Sequence, residues 1–548
     1  MEKIKEKLKE NSLTILIFIL IILILTIPLM QNKLIYGDDM WYHLLRIQSI
    51  ADSFKCKSFF TKINASMANG YGYASSMFYP DIFLYFPAFL IAFLNFSLTN
   101  SYKIFIFLLL IIMFVVFYKS FLHISCNKNI ALFGTAFLML SKVLILSLYS
   151  RFALGEFIGF IFILPGLVGI YDYLYKDFSK PQFLILSFIG LINSHLITGL
   201  IMFLFCLIAF ILNIKNTVQN PKKFLKLIGY ACLVLLVTAY FWMPLIEQLL
   251  HQKLYLSNSW TEISNEEYTI LDYFTNPKYS VGYSLIVSLP FILYGLFSKK
   301  LENHAKRYFI CFIIISVLLI CSPIWNIFSK ELNIIQFKWR LLGIITNLYA
   351  FSFVLVMDEY TSSINLSKQK NILLILFSIL LFFTLDNYNN YYVGNIKYDE
   401  LYIKENLYNT IESLGGGFEY LPIEVENPLN IFQSITNIAY INGKDIKGEK
   451  YPNLIFNLNN NDVNGDNIEI PYIYYYGYVA RLTKENGEII PLEVYKGNNG
   501  LVNVRIPNGL KGDIFVIYGR TLVQKVSFVI SFLSIIAMII CTIHRFKK

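Results

Sequence analysis

The sequence predicts an α-helical polytopic membrane protein with a β-rich extracytoplasmic domain, sandwich-like, placed before its last helix. Three observations carry this. Of 548 residues, 56% are apolar and only 15% charged, against about 25% charged in an ordinary soluble domain. Apolar runs long enough to cross roughly 30 Å of hydrocarbon recur from Leu13 to Thr542. Residues 387–522 break that pattern with Asn-Gly and Gly-Asn turns and period-two alternation, as in Tyr472–Val479, Glu488–Val494, Leu501–Ile506 and Asp513–Tyr518.

The first run, 13–30, follows Lys3, Lys5, Lys7 and Lys9. It is too long for a secretory leader and lacks a small-x-small cleavage site, so it reads as a retained anchor. Spans are expected at 13–30, 103–121, 131–149, 155–173, 183–196, 198–213, 226–246, 282–297, 308–328, 341–357, 371–386 and 526–543, about 12 to 13 helices in all. The uncertain run is 81–97, which carries Pro80, Asp81 and Pro87 at its start. It reads as an interfacial or re-entrant helix, a thirteenth crossing being the alternative. The stretch 183–213 is split at Asn193-Ser194-His195, because an unbroken helix of that length overshoots the bilayer.

Charge fixes the expected orientation. Residues 387–522 hold 11 Lys/Arg against 16 Asp/Glu, so the net +10 of the chain becomes +15 for the remainder. Basic clusters follow Phe121, Tyr171, Leu212, Phe297 and Met357 and flank both termini, with Lys215, Lys222, Lys223 and Lys226 the clearest. By the positive-inside rule these loops and both termini are cytoplasmic, the membrane being the plasma membrane. Residues 31–102, turns at Arg151 and His195, 247–281, 329–340 and 387–525 then face outward. The expected division is a transmembrane domain over 1–386 with its large first outer loop 31–102, a β-rich domain over 387–522, and a final helix and tail over 523–548.

Some classes drop out. Positive charge confined to short loops does not describe a nucleic-acid binder. Of seven cysteines, Cys56 stands in the first outer loop and the others lie in or beside apolar runs, with no disulfide framework and no CxxC pair. No Walker motif, GxGxxG, HExxH or His/Cys cluster occurs.

The candidate chemical groups all fall on the outer face. Asp38 and Asp39 stand just beyond the first span, where dehydration and mutual repulsion raise a carboxyl pKa toward the working range of a general base. Their plain alternative is a helix cap with solvated charges. His43 and Arg46 follow at spacings that share one helix face with Asp39. Tyr71, Tyr73, Tyr79 and Asp81 belong to an aromatic, glycine-broken segment that reads either as an interfacial belt or as a sugar-stacking surface. Arg151 and Glu156 sit at a span end, and His195 interrupts an apolar stretch, as does Lys142. Ionisable groups within or at the edge of the membrane are functional candidates, snorkelling and helix capping being the alternatives. Lys338 and Arg340 precede another span, positioned either to neutralise a phosphate or to anchor outer-leaflet lipid.

Together the strings GDDMWYHLLRI (37–47), GYGYASSMFYPDIFLYFPA (70–88), RFALGEF (151–157), SHLITGL (194–200), QFKWRLL (336–342) and GFEYLP (417–422) resemble a bacterial membrane family labelled "6-pyruvoyl-tetrahydropterin synthase-related", itself similar to the GT-C glycosyltransferases. The resemblance runs in consistent order over most of the chain, with Lys338 where the family motif often has proline. It implies a GT-C-like fold and transfer of a sugar from a polyprenyl-phosphate carrier to an extracytoplasmic glycan, lipid or protein acceptor. An acidic residue of the first outer loop serves that class, and Asp38 and Asp39 occupy the position. No pterin chemistry is visible in these residues.

The expected mechanism is inverting. Asp39 or Asp38 takes the proton of an acceptor hydroxyl. Arg151, Lys338, Arg340 or a protonated His195 steadies the leaving lipid phosphate, Arg340 foremost, with His43 and Arg46 as further donor-binding candidates. Glu156 orients Arg151 or binds substrate hydroxyls. Tyr71, Tyr73, Tyr79 and Asp81 line the acceptor groove. No cofactor is required, although a divalent metal between the two carboxylates is allowed. The rival readings are a lipid-linked-glycan transporter or flippase, which predicts inverted repeats, and a non-catalytic envelope-assembly protein.

Overall fold

Apolar runs become helices because a backbone withdrawn from water must pair its own polar groups. The computed structural model describes residues 12–257, 268–282, 293–295, 297, 303–362, 366–408, 410–428, 438–441, 444–451, 454–459, 467–507 and 510–547. Among these, five helices are long and apolar enough to cross a membrane: Ser12–Met30, Leu98–Ser125, Leu154–Tyr175, Lys338–Tyr360 and Leu522–His544. Two more crossings result if broken pairs are joined, Lys128–Met139 with Lys142–Ser150, bent by 43°, and Pro221–Val237 with Ala239–His251. The chain is a multi-pass membrane protein.

The expected count of twelve to thirteen crossings is thereby corrected to five, or seven with the broken pairs, among the described residues. Polar and proline breaks account for the difference. Asn193 ends helix Gln182–Ile192 and His195 caps helix Leu196–Leu212, both too short for an ordinary crossing. Residues 371–386 form a similarly short apolar stretch. The run 308–328 is divided into Asn303–Ile320 and Ser322–Ile327, the second opening on a proline. Most of the expected span 282–297 lies outside the described residues. The disputed run 81–97 forms a short apolar helix, Ile82–Leu94, below crossing length.

The chain forms two units, each assembled from separated segments. The first comprises Met1–Met40, Lys103–Val234 and Thr261–Glu400; the second comprises Trp41–Tyr102, Leu235–Trp260 and Leu401–Lys548. This differs from the linear division expected at residues 386 and 522. Most of the first outer loop groups with the β-rich domain because it bonds to it: the Tyr73 hydroxyl donates to Leu414 O at 2.9 Å and Ile473 N to Tyr71 O at 2.9 Å.

In the first unit, helix Leu154–Tyr175 is the central element, packed against Gln182–Ile192 and Leu341–Ser362. Small residues permit the approach: a Cβ on Gly169 would stand 2.7 Å from Leu184 N, and one on Gly166 2.6 Å from the Ser187 hydroxyl. A short antiparallel ladder, β1 (Leu34–Ile35) with β2 (Lys397–Tyr398), fixes the chain just ahead of Gly37.

The second unit carries a nine-stranded antiparallel sheet: β3 (Ile438–Ile441), β4 (Lys444–Lys447), β5 (Glu449–Tyr451), β6 (Ile455–Asn459), β7 (Asn467–Ile473), β8 (Tyr478–Thr483), β9 (Ile489–Lys496), β10 (Leu501–Arg505) and β11 (Asp513–Tyr518). Their order is β4-β3-β7-β10-β9-β8-β11-β6-β5. The two outermost strands are separated in sequence by Gly448 alone, so the sheet curls into a half-barrel rather than the two stacked layers expected. Alternation places Tyr478, Ala480 and Leu482 inside and Val479 and Arg481 outside, as period two requires. The run 472–479, expected as one strand, turns at Gly477 (φ +126°) and is shared between β7 and β8.

Candidate active site

The site in the first unit begins with a close approach of two backbones. A Cβ on Gly37 would lie 2.7 Å from Phe152 Cβ and 2.8 Å from Phe152 N, so only glycine fits without displacement. The contact brings the Asp39 N–H to the carbonyl of Arg151 at 2.8 Å. On the opposing segment a single π-turn, Leu146–Ser150, delivers Arg151, and Phe152 reverses the chain at φ +55° before helix Leu154–Tyr175 begins. Such turns interrupt helix regularity and aim side chains inward.

Glu156 lies in the first turn of that helix, where the dipole favours a carboxylate. It is the hub of a buried ion cluster. Its Oε2 receives Arg151 Nη1 at 2.6 Å and its Oε1 receives Arg340 Nε at 3.2 Å. Arg340 is further held by Ile335 O at 2.8 Å and Gln336 Oε1 at 2.6 Å. The Arg151 guanidinium lies 3.6 Å from the Trp339 ring centre, and Tyr279 stacks on the same indole at 4.6 Å and 10°. Two arginines against one glutamate leave one positive charge in a poorly hydrated pocket, which suits an anion.

His195 joins this group without becoming the cation expected of it. Its Nδ1 accepts the Thr198 N–H at 3.2 Å as a helix cap and lies 2.7 Å from Thr198 Oγ1. An accepting Nδ1 places the ring proton on Nε2, which points at Glu156 Oε1 from 3.8 Å. The ring is thereby a neutral imidazole that faces Glu156 from beyond hydrogen-bond distance.

A cleft opens beside the cluster, with Arg151, Glu156, Arg340, Trp339, Lys278 and Tyr279 among its lining. Lys278 and Tyr279 had no motif to announce them. Asn276 organises their loop, its Oδ1 accepting the N–H groups of Lys278 and Tyr279, each at 2.9 Å. Lys142 fastens the same loop, donating to Asn276 O at 3.2 Å. Lys278 Nζ pairs with Asp38 Oδ1 at 2.8 Å, and both side chains are well exposed.

The two aspartates thus differ. Asp38 faces water and a lysine. Asp39 is half-buried, and dehydration pushes its pKa up to about 7, with Glu156 and Asp38 adding to the rise and Arg151 and Arg340 opposing it. Among the described residues no side chain hydrogen-bonds the Asp39 carboxylate, and no group of three or more His, Cys, Asp or Glu residues is placed to hold a metal ion.

Lys338 does not join the cluster around Glu156. It is buried, with Nζ 5.9 Å from the Trp325 ring centre.

The remaining candidates belong to the second unit, and most are built into its scaffold. Arg46 is 1% exposed and donates to the carbonyls of Tyr79 and Pro80 at 2.9 and 2.8 Å, so it braces that segment rather than offering itself to a phosphate. His43 is buried against the rings of Tyr42 and Tyr79. Tyr73 is fully buried, its hydroxyl also accepting the Tyr420 N–H at 3.1 Å. Tyr71 is buried, with Lys450 Nζ 5.2 Å from its ring centre. Asp81 is buried as well, and dehydration, opposed by Lys62 and Arg46, raises its pKa. Of the four residues expected to line an acceptor groove, only Tyr79 keeps partial exposure.

No family model matches the chain, so the pterin-related label rests on the sequence strings alone. An uncharacterized protein of Lactococcus lactis subsp. cremoris (strain MG1363) is 25% identical across 98% of this chain and 96% of its own length. Among solved structures, the cryo-EM structure of the arabinofuranosyltransferase AftD from Mycobacteria aligns at 11% identity with a TM-score of 0.45. That alignment covers 71% of this chain, which spans 27% of the mycobacterial one.

Proposed function

We propose that the protein is a membrane glycosyltransferase that moves a sugar from a polyprenyl-phosphate donor to an extracytoplasmic glycan, lipid or protein acceptor. The observation that carries this reading is one arrangement: a carboxyl whose pKa lies near 7, next to a buried cluster with one excess positive charge, at a cleft walled by aromatic rings.

Asp39 is the base. It accepts the acceptor's hydroxyl proton while that oxygen bonds to the anomeric carbon and the bond from that carbon to the phosphate oxygen breaks, inverting the centre. A base with a pKa near the working pH combines availability with proton affinity. Arg151 and Arg340 receive the charge developing on the departing lipid phosphate, already desolvated and held in place by Glu156. The aromatic lining of the cleft, Phe160, Tyr279 and Trp339, suits the apolar C–H groups of a sugar ring. Asp38 is a surface partner of Lys278 in this scheme. Both termini lie in the cytoplasm, the site faces outward, and the carrier arrives laterally through the plasma membrane.

The test is sugar transfer, followed by mass spectrometry, from a panel of polyprenyl-phosphate sugars to an envelope-glycan fraction by purified protein in nanodiscs. Transfer that disappears in Asp39→Asn and persists in Asp38→Asn is the expected result. Transfer undiminished in Asp39→Asn would remove Asp39 as base, and no transfer from any donor would overturn the enzymatic reading.

A further inference from the structure

Three cations line the cleft, and they are not equally committed. Arg151 is bonded to Glu156 and stacked on Trp339, and Arg340 is bonded to Glu156, Ile335 O and Gln336 Oε1. Their side chains are 9% and 11% exposed, and moving either would leave the largely enclosed Glu156 carboxylate short of a partner. Lys278 differs on each count. Its side chain is 48% exposed, and its Nζ has one carboxylate partner, Asp38, itself 39% exposed. Solvent-exposed pairs of this kind are weak, screened by water and salt. The loop beneath Lys278 is nevertheless fixed by Asn276 and Lys142, so the ammonium swings from a defined base.

We propose that Lys278 is a displaceable phosphate-binding residue: in the free protein it pairs with Asp38, and it exchanges that carboxylate for the phosphate of an incoming polyprenyl phosphate. The proposal rests on the donor class put forward above. Asp38 then acts as a competitor that occupies Lys278 until an anion enters the cleft, rather than as a second base.

The experiment is equilibrium binding of undecaprenyl phosphate to the full-length protein in phosphatidylcholine nanodiscs, with undecaprenol as the phosphate-free control. Competition predicts effects of opposite sign. Lys278→Ala weakens undecaprenyl phosphate binding about tenfold and leaves undecaprenol unchanged, whereas Asp38→Asn tightens undecaprenyl phosphate binding about threefold by removing the competing carboxylate. Lys278→Arg retains most of the affinity. A merely structural Lys278–Asp38 tether moves both variants in the same direction and alters undecaprenol equally, and that result overturns the proposal. Arg340→Ala separates the two levels. If phosphate preference is lost in Arg340→Ala but intact in Lys278→Ala, the role of Lys278 fails alone; if wild-type protein binds both lipids alike, the donor class fails.

Discussion

The backbone N–H of Asp39 donates to the carbonyl of Arg151 at 2.8 Å, so the proposed base and the proposed anion-binding residue are held by one main-chain bond. Gly37 makes that bond geometrically available. A methyl group there would meet Phe152 Cβ at 2.7 Å and the carbonyl carbon of Arg151 at 3.0 Å, partners with no flexible end to yield. Gly37→Ala is expected to lower transfer by at least about tenfold, with circular dichroism unchanged. Full activity in this variant would show that the Asp39–Arg151 spacing is not critical.

A pH profile follows from the proposed role of Asp39 as base. Ionised carboxylate is required, so kcat/KM is expected to rise with pH and level off above about 7. Removing Asp38, whose charge contributes to the rise in that pKa, shifts the limb toward lower pH. A limb near the ordinary carboxyl range in the wild-type enzyme would show that Asp39 is hydrated in the free enzyme.

The same shift bears on stability. An unfolded aspartate is protonated only below about pH 4, whereas folded Asp39 keeps its proton to about 7. The folded state holds the extra proton between those values, so stability falls as pH rises through that window and stays lowered above it. Asp39→Asn is expected to raise the apparent melting temperature by roughly 2–4 °C at pH 8 and to leave it unchanged at pH 4. A loss of stability at pH 8 would mean that attraction to Arg151 outweighs dehydration.

Glu156 carries the opposite expectation. Removing it leaves two buried guanidinium groups uncompensated, a defect of about 3–5 kcal/mol when one partner of a buried pair is lost. Glu156→Gln, which keeps the shape and one acceptor, should melt lower than wild type and higher than Glu156→Ala. Equal melting of all three would show that water enters the cluster.

Much of this site was legible because it is local. Arg151 and Glu156 are five residues apart at the start of an apolar helix, where snorkelling explains an arginine more easily than a carboxylate. The break at Asn193-Ser194-His195 was visible as polarity within an apolar stretch, and the structure makes His195 the cap of the following helix. Its tautomer was not legible, because that depends on Thr198 folding back onto Nδ1. Lys278 and Tyr279 were missed because a polar outer loop carries no periodicity, and their placement depends on Asn276 capping that loop. Trp339 stood inside the quoted QFKWR string, yet its role emerges only when Arg151 packs over it. Arg46, Tyr71 and Tyr73 misled in the other direction: residue type marked them as recognition groups, while burial assigns them to bracing. The helix count was overestimated for a related reason, since apolar content does not reveal a bend such as that between Met139 and Lys142.

The half-barrel has a consequence for how copies of the protein share a crowded surface. Its two rims are among its shortest described strands, β4 with four residues and β5 with three, and both are rich in charged residue types. A short rim of this composition gives a foreign strand little ladder to extend. Neighbouring molecules can therefore crowd together at high density without their sheets fusing into a continuous array.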